Sequence, residues 1–191
     1  MGKVLHGLDM FHLALLTKDD HEGVTYEPPE PVPGAVNVSV TPNTESNTFF
    51  ADNGAYEIFN SLGDIDVNME VADLPLEMQK KIYGHQEEEG VQFASIEDTV
   101  AELALSFRAK VSTGGYRYYW FLKGKAQLLP NEYQTDEGNV TPQTAKLTLK
   151  FMPLQYNKRW KSQAEDKPDL NLGEKWFKEV VYKGDVLTPT P

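Results

Sequence analysis

A chain of 191 residues, 40% apolar and 25% charged, can bury one hydrophobic core without metal or disulfide staples. Because it has no cysteine, a disulfide framework, a thiolate metal site and a cysteine nucleophile are all excluded. Its formal net charge of −11 argues against a protein that grips nucleic acid through phosphates, and no apolar run approaches the ~20 residues of a membrane helix.

Residues 3–17 are apolar and read as a strand or an ordered arm, with a helix as the competing reading for 10–16. Met10 to Leu16 is too short, and too closely preceded by Asp9, for a signal peptide. Pro28, Pro29, Pro31 and Pro33 then exclude a central strand or a helix interior, so 18–33 is expected to be a stiff extended connector lying along a surface. Val36, Val38 and Val40 alternate with polar residues at period two, and Pro42-Asn43 reads as a turn. Residues 47–51 and 55–59 form a hairpin around Asp52-Asn53-Gly54, with Asn53 and Gly54 tolerating positive φ. The cleanest strand is 64–71, where Ile65, Val67, Met69 and Val71 face one way and Asp64, Asp66, Asn68 and Glu70 the other.

Residues 73–83 carry the best helix signal. Asp73 can cap it, Pro75 sits in its first turn, Leu74, Met78 and Ile82 make a stripe, and Gly84 closes it. After a polar link, Leu103, Leu105, Phe107, Ala109 and Val111 alternate along a strand. Thr113-Gly114-Gly115 turns the chain into the aromatic strand 116–123, and 145–151 alternates again after a polar loop, 126–143. From 154 onward the chain is charged and turn-rich, with Trp176/Val180 and Phe177/Val181 suggesting a short helix near 174–182. The expected organisation is an N-terminal arm and connector over 1–34, a β domain over 35–153 and a charged extension over 154–191. The fold class is mainly β, with a minor helical part: an antiparallel two-sheet sandwich or partial barrel with one flanking helix.

No phosphate loop, nucleophile elbow or paired-histidine metal motif is present, so no catalytic residue, metal or cofactor is expected. Asp64-x-Asp66-x-Asn68-x-Glu70 starts like a calcium loop but lacks its glycine at position six, and Pro75 stands where the bidentate glutamate belongs. A solvated strand face is the plainer reading, and an acidic channel lining a third. The aromatic strand reads first as a core strand or subunit contact. If exposed, Tyr116, Tyr118 and Trp120, or Tyr119 and Phe121, would be a platform for a carbohydrate- or host-surface-binding module, the rival hypothesis.

The stretch from Gly7-Leu8-Asp9-Met10-Phe11-His12 to Thr17, then Val32-Pro33-Gly34-Ala35-Val36, resembles the start of the phi-thirteen type of siphovirus major tail protein. So do Thr48-Phe49-Phe50-Ala51-Asp52-Asn53-Gly54-Ala55-Tyr56, the strand and helix of 64–84, Ala104 to Phe107 before the tyrosine-rich strand, and Thr141-Pro142-Gln143-Thr144. The resemblance spans 3–152, with an echo at Trp176-Phe177, and 157–172 departs from it.

It implies a non-enzymatic virion protein of the tail-tube fold, made in the host cytoplasm and assembling into stacked hexameric rings around a tape-measure protein. Viral DNA would pass through the tube without tight binding, tail terminator and distal tail proteins would be the further partners, and no membrane would be involved. On that reading Asp64, Asp66, Asn68 and Glu70 are candidate lumen residues. Leu8, Phe11, Pro28, Pro31, Pro33, Tyr133 and Val140 are candidate inter-subunit contacts.

Overall fold

The computed structural model describes residues 2–128, 144–167 and 172–184. Its elements are β1 (Leu5–Asp19), β2 (Val24–Tyr26), β3 (Glu30–Val32), β4 (Ala35–Ala51), β5 (Gly54–Val71), α1 (Leu76–Tyr83), β6 (Gln86–Glu88), β7 (Val91–Phe93), β8 (Glu102–Val111), β9 (Tyr116–Ala126), β10 (Ala145–Phe151), β11 (Lys161–Glu165) and the one-turn α2 (Gly173–Trp176). The main sheet runs β2-β1-β8-β9-β10-β5-β4, with β3 on β1 and β11 on β9, and every pairing is antiparallel. The sheet curls on itself without closing into a barrel. β10 joins β9 over only Leu149–Ala126, Lys150–Lys125 and Phe151–Gly124, and this short seam lets the two halves face each other. At the seam Gly124 is required by space, since a Cβ there would lie 2.7 Å from the Phe151 ring.

Between the halves lies the first core. Ile65, Val67, Met69 and Val71 of β5 and Leu147, Leu149 and Phe151 of β10 pack with Phe11 and Leu13 of β1 and Leu103, Leu105 and Phe107 of β8. Each set comes from alternate positions, as period two requires of a strand with one face in a core. The helix α1 joins this core through Ile82 and Tyr83, and Met78 and Ile82 lie beside Leu13 and Leu15. The helix is shorter than the sequence signal. Its N-cap position is Pro75 in extended conformation with no side-chain cap, so Asp73 does not cap it, whereas Gly84 at φ 75° ends it and donates its N–H to the Lys80 carbonyl at 2.9 Å.

A second core covers the other face of β1, β8 and β9. Tyr118, Trp120 and Leu122 pack under Leu154, Leu172, Trp176, Phe177, Val180 and Val181. Small residues on the sheet, Ala14, Ala104 and Ser106, leave room for the indole. Trp176 donates its Nε1–H to Ser106 Oγ at 3.2 Å, and Trp120 donates its own to the Trp176 carbonyl at 3.1 Å, so neither indole N–H is orphaned. Phe177 stacks on His12 at 4.5 Å, and burial holds that imidazole below its usual pKa. The segment after 154 is therefore docked on the sheet, and β8 is covered on both faces.

Of the two readings of the N-terminal segment, the strand is the one seen, with residues 5–19 in the sheet between β8 and the short β2 and β3. The proline connector supplies β2 and β3 along the edge of β1, with Pro31 opposite His12.

Lys123 and Asp19 lock these parts together. Their side chains are 7% and 2% exposed and meet at 2.8 Å, and Asp19 also accepts the Gln155 N–H at 2.8 Å and the Tyr156 N–H at 3.2 Å. Burial opposes the charge on Asp19, but the Gln155 N–H, Lys123 and the Tyr156 N–H outweigh it and hold the carboxyl below its usual pKa. A carboxyl depressed in the folded state contributes stability above the ordinary value near 3.8, and that contribution is lost as pH falls through the folded value. Asp19→Ala is expected to cost about 3 kcal/mol at neutral pH, because it unpairs the Gln155 and Tyr156 N–H groups and leaves the buried Lys123 ammonium only Glu102, at 3.5 Å. Below pH 3.8 the deficit should shrink, and urea titrations at both pH values check this.

Candidate functional site

The two longest strands, β4 and β5, pair along nearly their whole length, from Ala35–Val71 to Ala51–Gly54. Pro42-Asn43 does not turn the chain. It marks a register shift between Pro42 and Thr44 through which both strands continue. β4 is the last strand of the sheet, where a residue without an N–H is tolerated. The turn has both central residues at positive φ, Asp52 at 51° and Asn53 at 61°, the backbone of a two-residue primed turn.

Beyond the register shift no residue from 43 to 62 is buried, so the hairpin stands off the body as an arm. From Pro42 to Ala51 it extends about 30 Å at ~3.3 Å per residue.

The arm is rich in large apolar residues that remain exposed among the described residues. Phe49, Phe50, Tyr56, Ile58, Phe59 and Leu62 are 55, 69, 70, 61, 56 and 42% exposed. Register distributes them over both faces. Phe49 lies opposite Glu57 and Phe59 opposite Asn47 on one face, with Ile58 opposite Thr48 and Leu62 opposite Thr44 on the other. Phe49 and Tyr56 form an edge-to-face pair at 6.2 Å. An isolated two-stranded ribbon is marginal in water, and one that is apolar on both sides is a contact element that needs a partner on each. The sequence signal for it was the aromatic hairpin around Asp52-Asn53-Gly54. Its exposure was hidden because Pro42-Asn43 split the long strands.

At the base of the arm lies a groove of about 720 Å³, between the start of β1, residues Val36 to Pro42 of β4, and Phe107, Tyr119, Phe121 and Trp160. Leu8, an expected contact residue, is half-buried and lines it. Phe11 is 1% exposed and packs edge-on to Phe107 at 5.8 Å, so its side chain is spent in the chain's own core. Pro28, Pro31 and Pro33 are exposed. Tyr133 and Val140 lie outside the described residues.

On β5, Asp64 and Asn68 are exposed and Asp66 and Glu70 half-buried, on the face opposite the core. The face is mixed in charge. Lys150 Nζ of β10 lies 3.1 Å from Asp64 and 3.7 Å from Asp66, whose carboxylates hold its ammonium above the usual pKa, and Lys146 stands opposite Glu70 in register. Asn43 donates to Asp66 at 2.9 Å, Thr148 to Asn68 at 2.8 Å and Thr144 to Glu70. These partners satisfy the acidic side chains as a hydrogen-bonded strand face.

Tyr118, Trp120 and Phe121 are 1, 0 and 2% exposed, while Tyr116 and Tyr119 are half-buried. The aromatic strand is thus core, and the platform on which a carbohydrate-binding module would depend is absent from it, because the C-terminal segment covers the face bearing Tyr118 and Trp120.

Among the described residues no three His, Asp or Glu side chains gather as a metal site, and no helix is long and apolar enough to cross a membrane. The surfaces left uncovered are apolar and extended, suited to contact with other protein. A search of curated proteins finds no match. The family model of the phage tail tube protein matches residues 34–183, which include the arm, the β4 wall of the groove, the docked C-terminal segment and the parts of both cores that lie outside β1, β2 and β3. The chain belongs to the phage tail tube protein family.

Proposed function

We propose that the chain is the major subunit of a phage tail tube, whose copies close into hexameric rings and stack into the conduit for viral DNA. The observation that carries this reading is the arm at 43–62, with large apolar residues on both faces that are exposed among the described residues. Distinct surfaces that meet head to tail generate rings or filaments rather than a closed dimer. β4 is the last strand of the sheet among the described residues, and its outer edge is one that a neighbouring sheet can extend.

On this reading the face of Asp64, Asp66, Asn68 and Glu70 is the candidate lumen wall. Lys150 and Lys146 temper it, leaving a surface of small net charge over which DNA slides without tight binding. The protein acts by geometry and charge, not catalysis, in the virion tail after synthesis in the host cytoplasm. Its further partners are the tape-measure, tail terminator and distal tail proteins. Pro28, Pro31, Pro33 and Leu8 remain proposed contact residues, and Phe11 does not.

Negative-stain microscopy of concentrated purified chain tests the proposal. Rings or hollow tubes are expected. Dispersed globules at every concentration would count against it.

A further inference from the structure

We infer that the short ribbon β6–β7 of one copy docks against the basic loop 152–159 of another, at surfaces separate from the long arm. The inference rests on the tail tube reading and adds a further pair of surfaces to it. The ribbon is inside out. It pairs Gln86 with Phe93, Glu87 with Gln92 and Glu88 with Val91, around a turn in which Glu89 and Gly90 have φ of 50° and 81°. Its polar pair faces α1, where Lys80 donates to Glu87 at 2.8 Å and the Gln92 amide donates to the Leu76 carbonyl at 2.6 Å. Alternation then turns Val91 and Phe93 the other way, and they are 52 and 50% exposed. Leu76 and Ile96 add further exposed apolar surface. A two-stranded ribbon that spends its polar side on its own helix and presents its apolar side outward has the form of a contact element.

Charge specifies the occupant. Residues 84–101 carry Glu87, Glu88, Glu89, Glu97 and Asp98 and no lysine or arginine. Glu87 is taken by Lys80, whereas Glu88, Glu89 and Glu97 are exposed and make no ion pair among the described residues. A matching surface offers apolar groups beside cations.

The chain itself has such a surface. Residues 152–164 carry Lys158, Arg159 and Lys161 and no Asp or Glu. Met152 and Tyr156 are 53 and 40% exposed there, and Lys158 and Arg159 are exposed with no ion pair among the described residues. The loop is held in shape. Leu154 donates its N–H to the Arg159 carbonyl at 2.9 Å, Lys158 donates its own to the Leu154 carbonyl at 3.1 Å, and Asp19 accepts the Gln155 and Tyr156 N–H groups. A preformed loop gives up little conformational freedom on docking. Ribbon and loop are both exposed in one chain, so neither covers the other within a copy. Two different surfaces that match join copies head to tail, with apolar burial at the centre and opposite charge setting the register.

Exchanging the charges tests the contact. Full-length chain with Glu88→Lys and Glu89→Lys, or with Lys158→Glu and Arg159→Glu, is expected to need about tenfold more protein to form tubes in sedimentation velocity. The chain carrying all four substitutions is expected to return to within about threefold of the parent, a rescue that a merely structural role would not give. Tubes whose threshold neither reversal moves, or a combined variant no better than either reversal, overturn the contact and leave the tail tube reading standing. Where the parent forms no tubes, a carbodiimide decides, since it joins a carboxylate directly to a lysine amine. Parent chain mixed with heavy-isotope-labelled chain is treated with it and mapped by mass spectrometry. Amide links from Glu88 or Glu89 to Lys158 across copies then support the contact and sink the tail tube reading, and their absence refutes both.

Discussion

Placing aspartate at Phe50 and Ile58 together is expected to abolish tube formation while the subunit melts within about 2 °C of the parent, since surface changes stay near ±0.5 kcal/mol. Both side chains are more than half exposed and belong to neither core, so the subunit loses nothing by their removal. Assembly is affected very differently. Burying an unpaired carboxylate in a contact costs several kcal/mol, and about 1.4 kcal/mol is tenfold in an equilibrium, so the concentration needed for tubes should rise at least about a hundredfold. Sedimentation velocity across a concentration series reads this directly. A normal assembly threshold for the double variant would remove the arm from the contact between copies.

Trp176→Ala acts on the fold instead. The indole is 1% exposed, fills the space above Ala104 and Ser106, and contacts the Tyr118 ring at 5.7 Å. Its loss is expected to cost about 3–5 kcal/mol through the cavity left behind. That lowers the melting temperature by roughly 6–20 °C, while Trp176→Phe should recover a large part. Because the C-terminal segment is held by this residue together with Phe177, Val180 and Val181, limited proteolysis after 154 should accelerate in parallel. A loss below about 1 kcal/mol would mean that the segment is not a structural part of the sheet.

These two substitutions also mark where the sequence was legible. Ile65, Val67, Met69 and Val71 announced a half-buried strand through period two, and Gly84 announced a helix end, because both signals are local. The turn in Asp52-Asn53-Gly54 was legible for the same reason, but its positive-φ residues are Asp52 and Asn53 where Asn53 and Gly54 were expected. The second core was not. Ala104 and Ser106 lie between the alternating apolar residues of β8, and it is the return of Trp176 from far along the chain that packs over them. Pro42-Asn43 looked like punctuation because proline interrupts central strands, yet in an edge strand a register shift absorbs it and the strand runs on.

The candidate site divides in the same way. The polarity of the β5 face was readable, whereas its pairing with Lys146 and Lys150 depends on which strand lies beside it. Phe11 was expected at a contact because apolar residues near a terminus read as an arm, but the neighbouring β8 draws it into the core.

The central claim is that exposed apolar surface on the arm joins one copy to the next. Cryo-electron microscopy of the assembled tubes, with helical reconstruction, tests it most directly. The account expects Phe49, Phe50 and Tyr56 of each subunit to be enclosed by a neighbour, with β5 of every copy turned to the central channel. Arms projecting free into solvent on a tube held together by other surfaces would contradict it.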